Sequence, residues 1–198
     1  MTKIKMCGLR RREDIEYANR LLPDYIGYVF AKSSKRYVSP EKAAGLTKLL
    51  GKRIVPVGVF VDSDFDEIYG IVSAGTIRAV QLHGSEPDEL VRRLQNEGIT
   101  VIRAFRIKTP EDTAGAERSC ADFILLDSGG GSGEVFDWSL ISGIKRDYFL
   151  AGGLTAGNAA QAIKKLAPYA VDASSCLETE GFKDFGKMAA FAEAVRNA

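Results

Sequence analysis

Short apolar segments alternate with longer amphipathic segments along the whole 198-residue chain. Eight of the apolar segments are rich in β-branched and aromatic residues, which favours strands. These segments begin at Lys3, Asp24, Ile54, Arg78, Thr100, Asp122, Asp147 and Tyr169. Strands that alternate with helices at this short spacing predict a parallel sheet, and eight such units favour its closure into a barrel.

The intervening segments carry helix-start signals. Ser39 is a suitable N-cap before Pro40, and acids open the helix near Asp88, where the helix dipole favours them. The helix after the seventh strand is expected to begin at Thr155, and the last helix to run over 183–195. Between the fifth and sixth strands the pattern predicts only a short helix.

The expected fold is therefore an α/β protein of the (β/α)8 TIM-barrel class, a single domain over residues 1–198 with a reduced fifth helix. An open doubly wound sheet is the competing fold. It would require a glycine-rich dinucleotide turn after the first strand, and the segment that starts Cys7-Gly8-Leu9 lacks one.

Charge and cysteine content narrow the classes of function. Lys plus Arg (27) nearly cancels Asp plus Glu (26), so no charge bias points to nucleic acid or to an anionic membrane. The basic amino-terminal segment lacks the apolar stretch of a signal peptide, and no window approaches the roughly 18 apolar residues of a membrane helix. Cys7, Cys120 and Cys176 show no CxxC spacing, which argues against a zinc site or a disulfide framework and fits a reduced cytoplasm.

The carboxyl ends of the strands form the mouth of such a barrel, where active sites lie. The first, fourth and sixth strands end in ionisable side chains, namely Cys7, His83 and Asp127. The seventh and eighth end in small residues whose backbone N–H groups can approach a phosphate, namely Gly152-Gly153 and Ser174-Ser175. This division predicts proton transfer on one side of the mouth and phosphate binding on the other.

Strand parity places Lys5 and Cys7 on the same face of the first strand. An unpaired buried ammonium is costly, and Asp172 on the neighbouring eighth strand is the expected partner of Lys5. The ammonium would favour the thiolate of Cys7, whereas burial of Asp127 would favour its protonated form. The residues alone leave plainer alternatives open, a small apolar residue for Cys7 and a loop cap for Asp127.

Three further features bear on substrate binding. Arg36 follows the second strand, and its planar guanidinium matches a carboxylate in two parallel bonds; a solvated loop charge beside Lys32 and Lys35 is the alternative. His83 by itself is more typical of a hydrogen-bonded framework residue than of a catalyst. The glycine-rich loop at 129–133 can fold over the same anion as the phosphate loops.

Seven motifs resemble those of the phosphoribosylanthranilate isomerase family of tryptophan biosynthesis. In chain order they are KMCG, SKRYVS, VGVFVD, VQLHG, LLDSGGGSGEVFDW, AGGLTAGN and VDASS, and they extend over essentially the whole chain. The resemblance implies an Amadori rearrangement of N-(5-phosphoribosyl)anthranilate to 1-(2-carboxyphenylamino)-1-deoxyribulose 5-phosphate, without a metal or an organic cofactor. We expect a phosphosugar as the only ligand, and a monomer or homodimer.

The same resemblance implies roles for individual residues. It makes Cys7 the general base, Asp127 the general acid and Arg36 the contact for the anthranilate carboxylate. The phosphate loops fall on Gly152-Gly153 and Ser174-Ser175, and we include His83 and Asp172 among the substrate-binding residues.

Two departures from the family and two other functions remain. Met6 replaces the family's isoleucine with a residue of similar apolar bulk. Cys176 stands where the family usually has glycine, and a Cβ there would restrict a positive φ and the close approach of an anion. One alternative function is the histidine-pathway Amadori isomerase, which uses an aspartate at the first strand and binds two phosphates. The other is a non-catalytic phosphosugar-binding barrel. Cys7 argues against the first, and the pair of Cys7 and Asp127 against the second.

Overall fold

The computed structural model describes residues 1–127, 137–141 and 143–198. Eight parallel strands close into a barrel in chain order, with the first strand hydrogen-bonded to the eighth. They are β1 (Lys3–Cys7), β2 (Tyr25–Val29), β3 (Val55–Phe60), β4 (Ala79–Leu82), β5 (Thr100–Arg106), β6 (Phe123–Asp127), β7 (Tyr148–Leu150) and β8 (Ala170–Ala173). The predicted barrel is confirmed, and the open sheet is wrong.

Helices surround the barrel, and none that the structure describes is long and apolar enough to cross a membrane. They are α1 (Arg12–Leu21), α2 (Pro40–Thr47), α3 (Phe65–Ser73), α4 (Asp88–Asn96), α5 (Pro110–Glu117), α6 (Ala159–Leu166) and α7 (Phe185–Arg196). Two 3-10 turns span Trp138–Ile141 and Ser175–Leu177. A small antiparallel hairpin follows β8, formed by β9 (Glu178–Thr179) and β10 (Phe182–Lys183).

The predicted helix signals hold for α2 and α5. Ser39 caps α2 by accepting a hydrogen bond from the backbone N–H of Lys42. The fifth helix is short, as predicted: α5 has eight residues, and Thr109 and Asp112 form a capping box at its start. The sequence did not indicate how little helix lies between β6 and β7, where the described residues contain only the turn Trp138–Ile141.

Two predicted helix starts are wrong. The α6 helix begins at Ala159 and not at Thr155, because the Asn158 side chain accepts from the backbone N–H of Thr155 and donates to the carbonyl of Gly153, which closes a turn before the helix. The α7 helix begins after its N-cap Asp184, so Lys183 belongs to β10 instead. This second correction places Lys183 in the loop region after β8.

Apolar residues form two separate layers, as the alternation of side chains along a strand requires. Ile4 and Met6 of β1 pack in the large cluster between the strands and the helices. The opposite face of the strands fills the barrel interior with Val57, Ala79, Ile102, Leu125, Phe149, Ala151 and Ala170. Closer to the mouth, Cys7 packs against Val29 and Val59. The barrel interior also holds the buried polar side chains of Lys5 and Gln81.

Candidate active site

A cavity of about 570 Å³ opens at the carboxyl ends of the strands. Every residue that the sequence nominated lies in its wall: Cys7, Arg36, His83, Asp127, Gly152, Gly153, Asp172, Ser174 and Ser175. The fold therefore brings the predicted proton-transfer pair and the predicted anion contacts together in one cavity. The glycine-rich loop at 129–133 lies outside the described residues.

The predicted ion pair between Lys5 and Asp172 is confirmed. The two residues are register partners on β1 and β8, and Lys5 Nζ lies 2.9 Å from Asp172 Oδ2. The Lys5 side chain is fully buried, and that of Asp172 is 9% exposed. Burial alone would lower the pKa of Lys5, but its neighbours outweigh burial and raise that pKa, the negative charge of Asp172 most of all. Lys5 is therefore an ammonium at neutral pH, and it is buried behind Asp172, which lines the cavity.

Cys7 ends β1 directly above this pair and is 8% exposed. Its sulfur has room because the neighbouring residue on β2 is glycine: a Cβ at Gly27 would lie 2.6 Å from Cys7 Sγ. Burial raises the pKa of the Cys7 thiol, more than Lys5 and Lys183 lower it. Lys5 does favour the thiolate, as predicted, but burial outweighs it and the resting form near neutral pH is the thiol.

Asp127 and His83 lie on the other side of the mouth. His83 Nε2 is 3.7 Å from Asp127 Oδ2, and the Asp127 side chain is 19% exposed. Gln81 Nε2 lies 2.9 Å from His83 Nδ1. With the Gln81 amide in this orientation its nitrogen donates to His83 Nδ1, and a neutral ring then carries its proton on Nε2, the nitrogen that faces Asp127. Gln81 was not predicted from the sequence, although it lies two residues before His83 and so on the same face of the chain at the end of β4.

Arg36 lines the cavity, but the structure gives it a partner that the sequence did not. Its Nε and Nη2 atoms lie 2.6 Å and 2.8 Å from the two carboxylate oxygens of Glu178. The side edge of the guanidinium is thus already filled by two parallel bonds. The prediction that this residue meets a substrate carboxylate can therefore hold only for the end of the guanidinium, formed by Nη1 and Nη2.

Lys183 is the second residue that the sequence analysis missed. Its Nζ donates to Glu178 Oε1 at 2.7 Å and to the carbonyl oxygen of Ser174 at 2.9 Å. Burial alone would raise the pKa of Glu178, but hydrogen bonds from Arg36 and Lys183 outweigh it and lower that pKa. Nothing in the sequence predicted that Lys183 lies beside Glu178, because the apolar pattern assigned this lysine to the last helix.

The loops after β7 and β8 have the geometry of an anion site. Gly152 and Gly153 have φ values of 81° and 65°, which glycine adopts without strain. Within the described part of the chain, the backbone N–H groups of Gly152, Gly153 and Ser174 donate to no acceptor. The predicted helix start at Thr155 would have placed a helix N-terminus beside this loop, but α6 begins only at Ala159.

Cys176 is compatible with this loop. It lies in the 3-10 turn Ser175–Leu177 and is not among the residues with positive φ, so its Cβ is not strained. Burial raises the pKa of its thiol to about 11. The concern about a positive φ at this position therefore does not apply, and the effect of the Cβ on the approach of an anion stays a prediction.

Across the three described ranges, no group of three or more His, Cys, Asp or Glu side chains is placed to hold a metal ion. The charged groups of the site pair with one another instead, through the Lys5–Asp172 contact and the Arg36–Glu178–Lys183 network. The predicted absence of a cofactor stays a prediction.

The family model for N-(5'-phosphoribosyl)anthranilate (PRA) isomerase matches residues 4–194. The chain belongs to this family. A family member from Thermoanaerobacter pseudethanolicus is 43% identical over 203 residues, which cover 99% of this chain and 98% of the relative. The phosphoribosyl anthranilate isomerase of Thermotoga maritima superposes with a TM-score of 0.93 at 37% identity, covering 100% of both chains.

A second solved family member was crystallised with reduced 1-(o-carboxyphenylamino)-1-deoxyribulose 5-phosphate. It superposes with a TM-score of 0.90 at 36% identity over 100% of both chains. The resemblance that the seven motifs carried is thus confirmed, and the family consists of isomerases.

Proposed function

We propose that this protein converts N-(5-phosphoribosyl)anthranilate to 1-(2-carboxyphenylamino)-1-deoxyribulose 5-phosphate, a step of tryptophan biosynthesis, in the cytoplasm and without a metal or cofactor. One observation carries the proposal: a single cavity holds a buried thiol, Cys7, and a carboxyl group, Asp127, between two sets of anion contacts. The relative that binds a reduced deoxyribulose phosphate supports the same class of ligand. We assign the activity to one domain, residues 1–198.

In the first step, Asp127 is the general acid. It gives its proton to the furanose ring oxygen while the bond between that oxygen and C1 breaks, and the nitrogen lone pair forms an iminium with C1. His83, with its Nε2 proton near Asp127, can stabilise the carboxylate that results. General acid catalysis of this kind contributes roughly 10²–10⁴-fold.

In the second step, Cys7 is the general base. Its thiolate removes the proton from C2, and the electrons of that C–H bond form a C1=C2 bond that neutralises the iminium. The resulting enol then tautomerises to the ketone. Burial keeps Cys7 a thiol in the free enzyme, so the thiol must first lose its proton. We propose that the cationic iminium beside Cys7 favours the thiolate and that the thiol proton leaves to water in the open cavity before C2 is deprotonated.

The anion contacts hold the two ends of the substrate. We assign the phosphate to the backbone N–H groups of Gly152-Gly153 and Ser174-Ser175, and the anthranilate carboxylate to the end of the Arg36 guanidinium. Asp172 Oδ1 and Gln81 Oε1 are buried acceptors without a partner in the described ranges, and ribose hydroxyls are donors that would satisfy them. Fixing both ends positions C2 against Cys7, which lowers the entropic part of the barrier.

The test is an isomerase assay on purified protein, with wild type compared with Cys7→Ser and Asp127→Asn. We expect chelator-insensitive turnover that falls by at least about 10²-fold in each variant, because each removes one proton transfer. Cys120→Ser is the matched control, since this cysteine lies outside the cavity. Full activity in Cys7→Ser would show that the base is another group. Folded wild type that binds the phosphosugar without turnover would favour the non-catalytic barrel.

The oligomeric state is a separate question, for which a monomer and a homodimer are our two candidates. A related structure describes monomers generated from the dimeric isomerase of Thermotoga maritima, and this concerns that protein. Sedimentation velocity at several protein concentrations distinguishes the two states for this chain.

A further inference from the structure

We propose that Glu178 and Lys183 are positioning residues that orient both anion contacts of the cavity at once. The inference rests on the proposed function, because it assigns the carboxylate end of the substrate to Arg36 and the phosphate end to the loop at Ser174-Ser175. The two residues lie on the hairpin of β9 and β10 that follows β8. The hairpin thus links the loop after β2 to the loop after β8.

The contact with Arg36 fixes the plane of the guanidinium. Glu178 binds Nε and Nη2 with its two oxygens at 2.6 Å and 2.8 Å, a bidentate arrangement that defines both position and orientation. The N–H groups of Nη1 carry no bond to the described part of the chain, and Arg36 lines the cavity. The stem of Arg36 is confined as well, since a Cβ at Gly8 would lie 2.5 Å from Arg36 Cδ. Without Glu178, the side chain would lose the contact that selects this orientation.

The contact with Lys183 fixes a peptide plane in the phosphate loop. Lys183 Nζ donates to the carbonyl oxygen of Ser174 at 2.9 Å. In a trans peptide the carbonyl oxygen and the next N–H point in opposite directions, so holding the Ser174 oxygen also fixes the direction of the Ser175 N–H. Ser174 Oγ donates to the carbonyl of Cys7 at 3.0 Å, which ties the same residue to the end of β1.

The burial of this network explains why a single charge can control both contacts. The side chains of Lys183 and Glu178 are 1% and 8% exposed, and that of Arg36 is 16% exposed. One carboxylate therefore balances two cations in a place where water reaches them poorly. Neutralising Glu178 leaves Arg36 and Lys183 facing each other without a counter-ion, so both should move.

The main experiment is steady-state kinetics of Glu178→Gln, which keeps the shape of the side chain and removes its charge. We expect KM to rise roughly tenfold or more and kcat to fall by less than about threefold, because Cys7 and Asp127 are untouched. Glu180→Gln is the matched control, a glutamate on the same hairpin that takes no part in the ion pairs with Arg36 and Lys183. Thermal unfolding of each variant separates misfolding from a change in substrate binding.

A double-mutant cycle tests whether Glu178 acts through Arg36. In an Arg36→Met background, Glu178→Gln should raise KM by less than about threefold, because the guanidinium that it orients is already gone.

Inorganic phosphate, used as a competitive inhibitor, tests the contact between Lys183 and the phosphate loop. Lys183→Met should raise the inhibition constant of phosphate about fivefold or more, whereas Arg36→Met should leave it unchanged within about twofold.

Three results would overturn the proposal: an unchanged KM in Glu178→Gln, equal effects of that change in both Arg36 backgrounds, or unaltered phosphate inhibition in Lys183→Met. Absence of turnover in wild type would refute the proposed function and not this inference. Anthranilate fluorescence and phosphate calorimetry with the same variants would then measure the two contacts directly.

Discussion

Replacement of Lys5 by methionine tests how much the buried ion pair between Lys5 and Asp172 stabilises the barrel. The change keeps most of the apolar stem of the side chain and removes the ammonium that binds Asp172 Oδ2 at 2.9 Å. Asp172 would then remain at the bottom of the cavity, 9% exposed, without its cation. We expect a folded protein with a much lower free energy of unfolding at neutral pH.

The distance between Lys5 Nζ and Asp172 Oδ2 determines how large the loss of stability should be. At 2.9 Å, two unit charges attract by about 6 kcal/mol at an effective dielectric constant near 20, and the desolvation of both groups offsets part of this. Loss of one partner from a buried pair typically costs about 3–5 kcal/mol, because it leaves the other charge uncompensated. Since single domains are stable by about 5–15 kcal/mol, the variant should unfold at clearly lower denaturant concentration.

The effect should also depend on pH, with a definite sign. Burial already raises the pKa of Asp172, and Lys5 is the largest influence that lowers it. In Lys5→Met this pKa rises further above the unfolded-state value near 3.8, so the folded variant binds a proton more tightly than the unfolded chain. The stability lost relative to wild type should therefore be largest at neutral pH and shrink as the pH falls towards 4.

Urea unfolding at pH 7 and pH 4.5 measures both effects. The matched control is Lys3→Met, whose partner Asp24 lies at 3.2 Å with both side chains 39% exposed, and which should cost less than about 1 kcal/mol. The double variant Lys5→Met/Asp172→Asn should be more stable than Lys5→Met alone. Equal losses for Lys5→Met and Lys3→Met, or a loss at Lys5 that does not change with pH, would refute the reasoning.

Three other predictions follow from the site. Gly27→Ala should lower isomerase activity about tenfold or more, because the new Cβ would lie 2.6 Å from Cys7 Sγ. Gly45→Ala in α2 is the control: its Cβ meets no atom within 4 Å, and the free energy of unfolding should rise by about 0.5–1 kcal/mol. The pKa of Glu178 is lowered in the fold, so its carboxylate stabilises the protein above pH 4.5, the ordinary pKa of glutamate, and this stabilisation is lost as the pH falls further. Below pH 4.5 the wild type should therefore lose more stability than Glu178→Gln. Site-resolved mass spectrometry should show alkylation of Cys176 rising about tenfold between pH 8 and pH 9, since a thiol with a pKa of about 11 is ionised there to roughly 0.1–1%; a flat profile would contradict its burial.

Much of the architecture could be predicted because its causes are local. Eight apolar segments specified eight strands, and the two-residue period of a strand placed Lys5 and Cys7 on one face. Closure of the barrel makes β1 and β8 neighbours, so the partner of Lys5 followed from strand order and the cost of a buried charge. The site residues at the strand ends could be predicted equally well, because barrels of this kind have their active sites there.

The interactions around Arg36 were decided only by the tertiary structure. Glu178 and Lys183 lie 142 and 147 positions further along the chain, and no periodicity relates a hairpin after β8 to a loop after β2. The start of α6 depended on the Asn158 side chain, which competes locally with the helix.

The ionisation of Cys7 shows the same division between sequence and structure. The sequence supplied the ammonium that favours the thiolate, and that influence is present in the fold. Its outcome depended on how much water the packed barrel excludes around the sulfur. Desolvation is a property of the whole environment of a group. The sequence therefore determined which strand-end residues meet at the mouth, whereas the tertiary structure determined their charge, their orientation and the partners that the hairpin supplies.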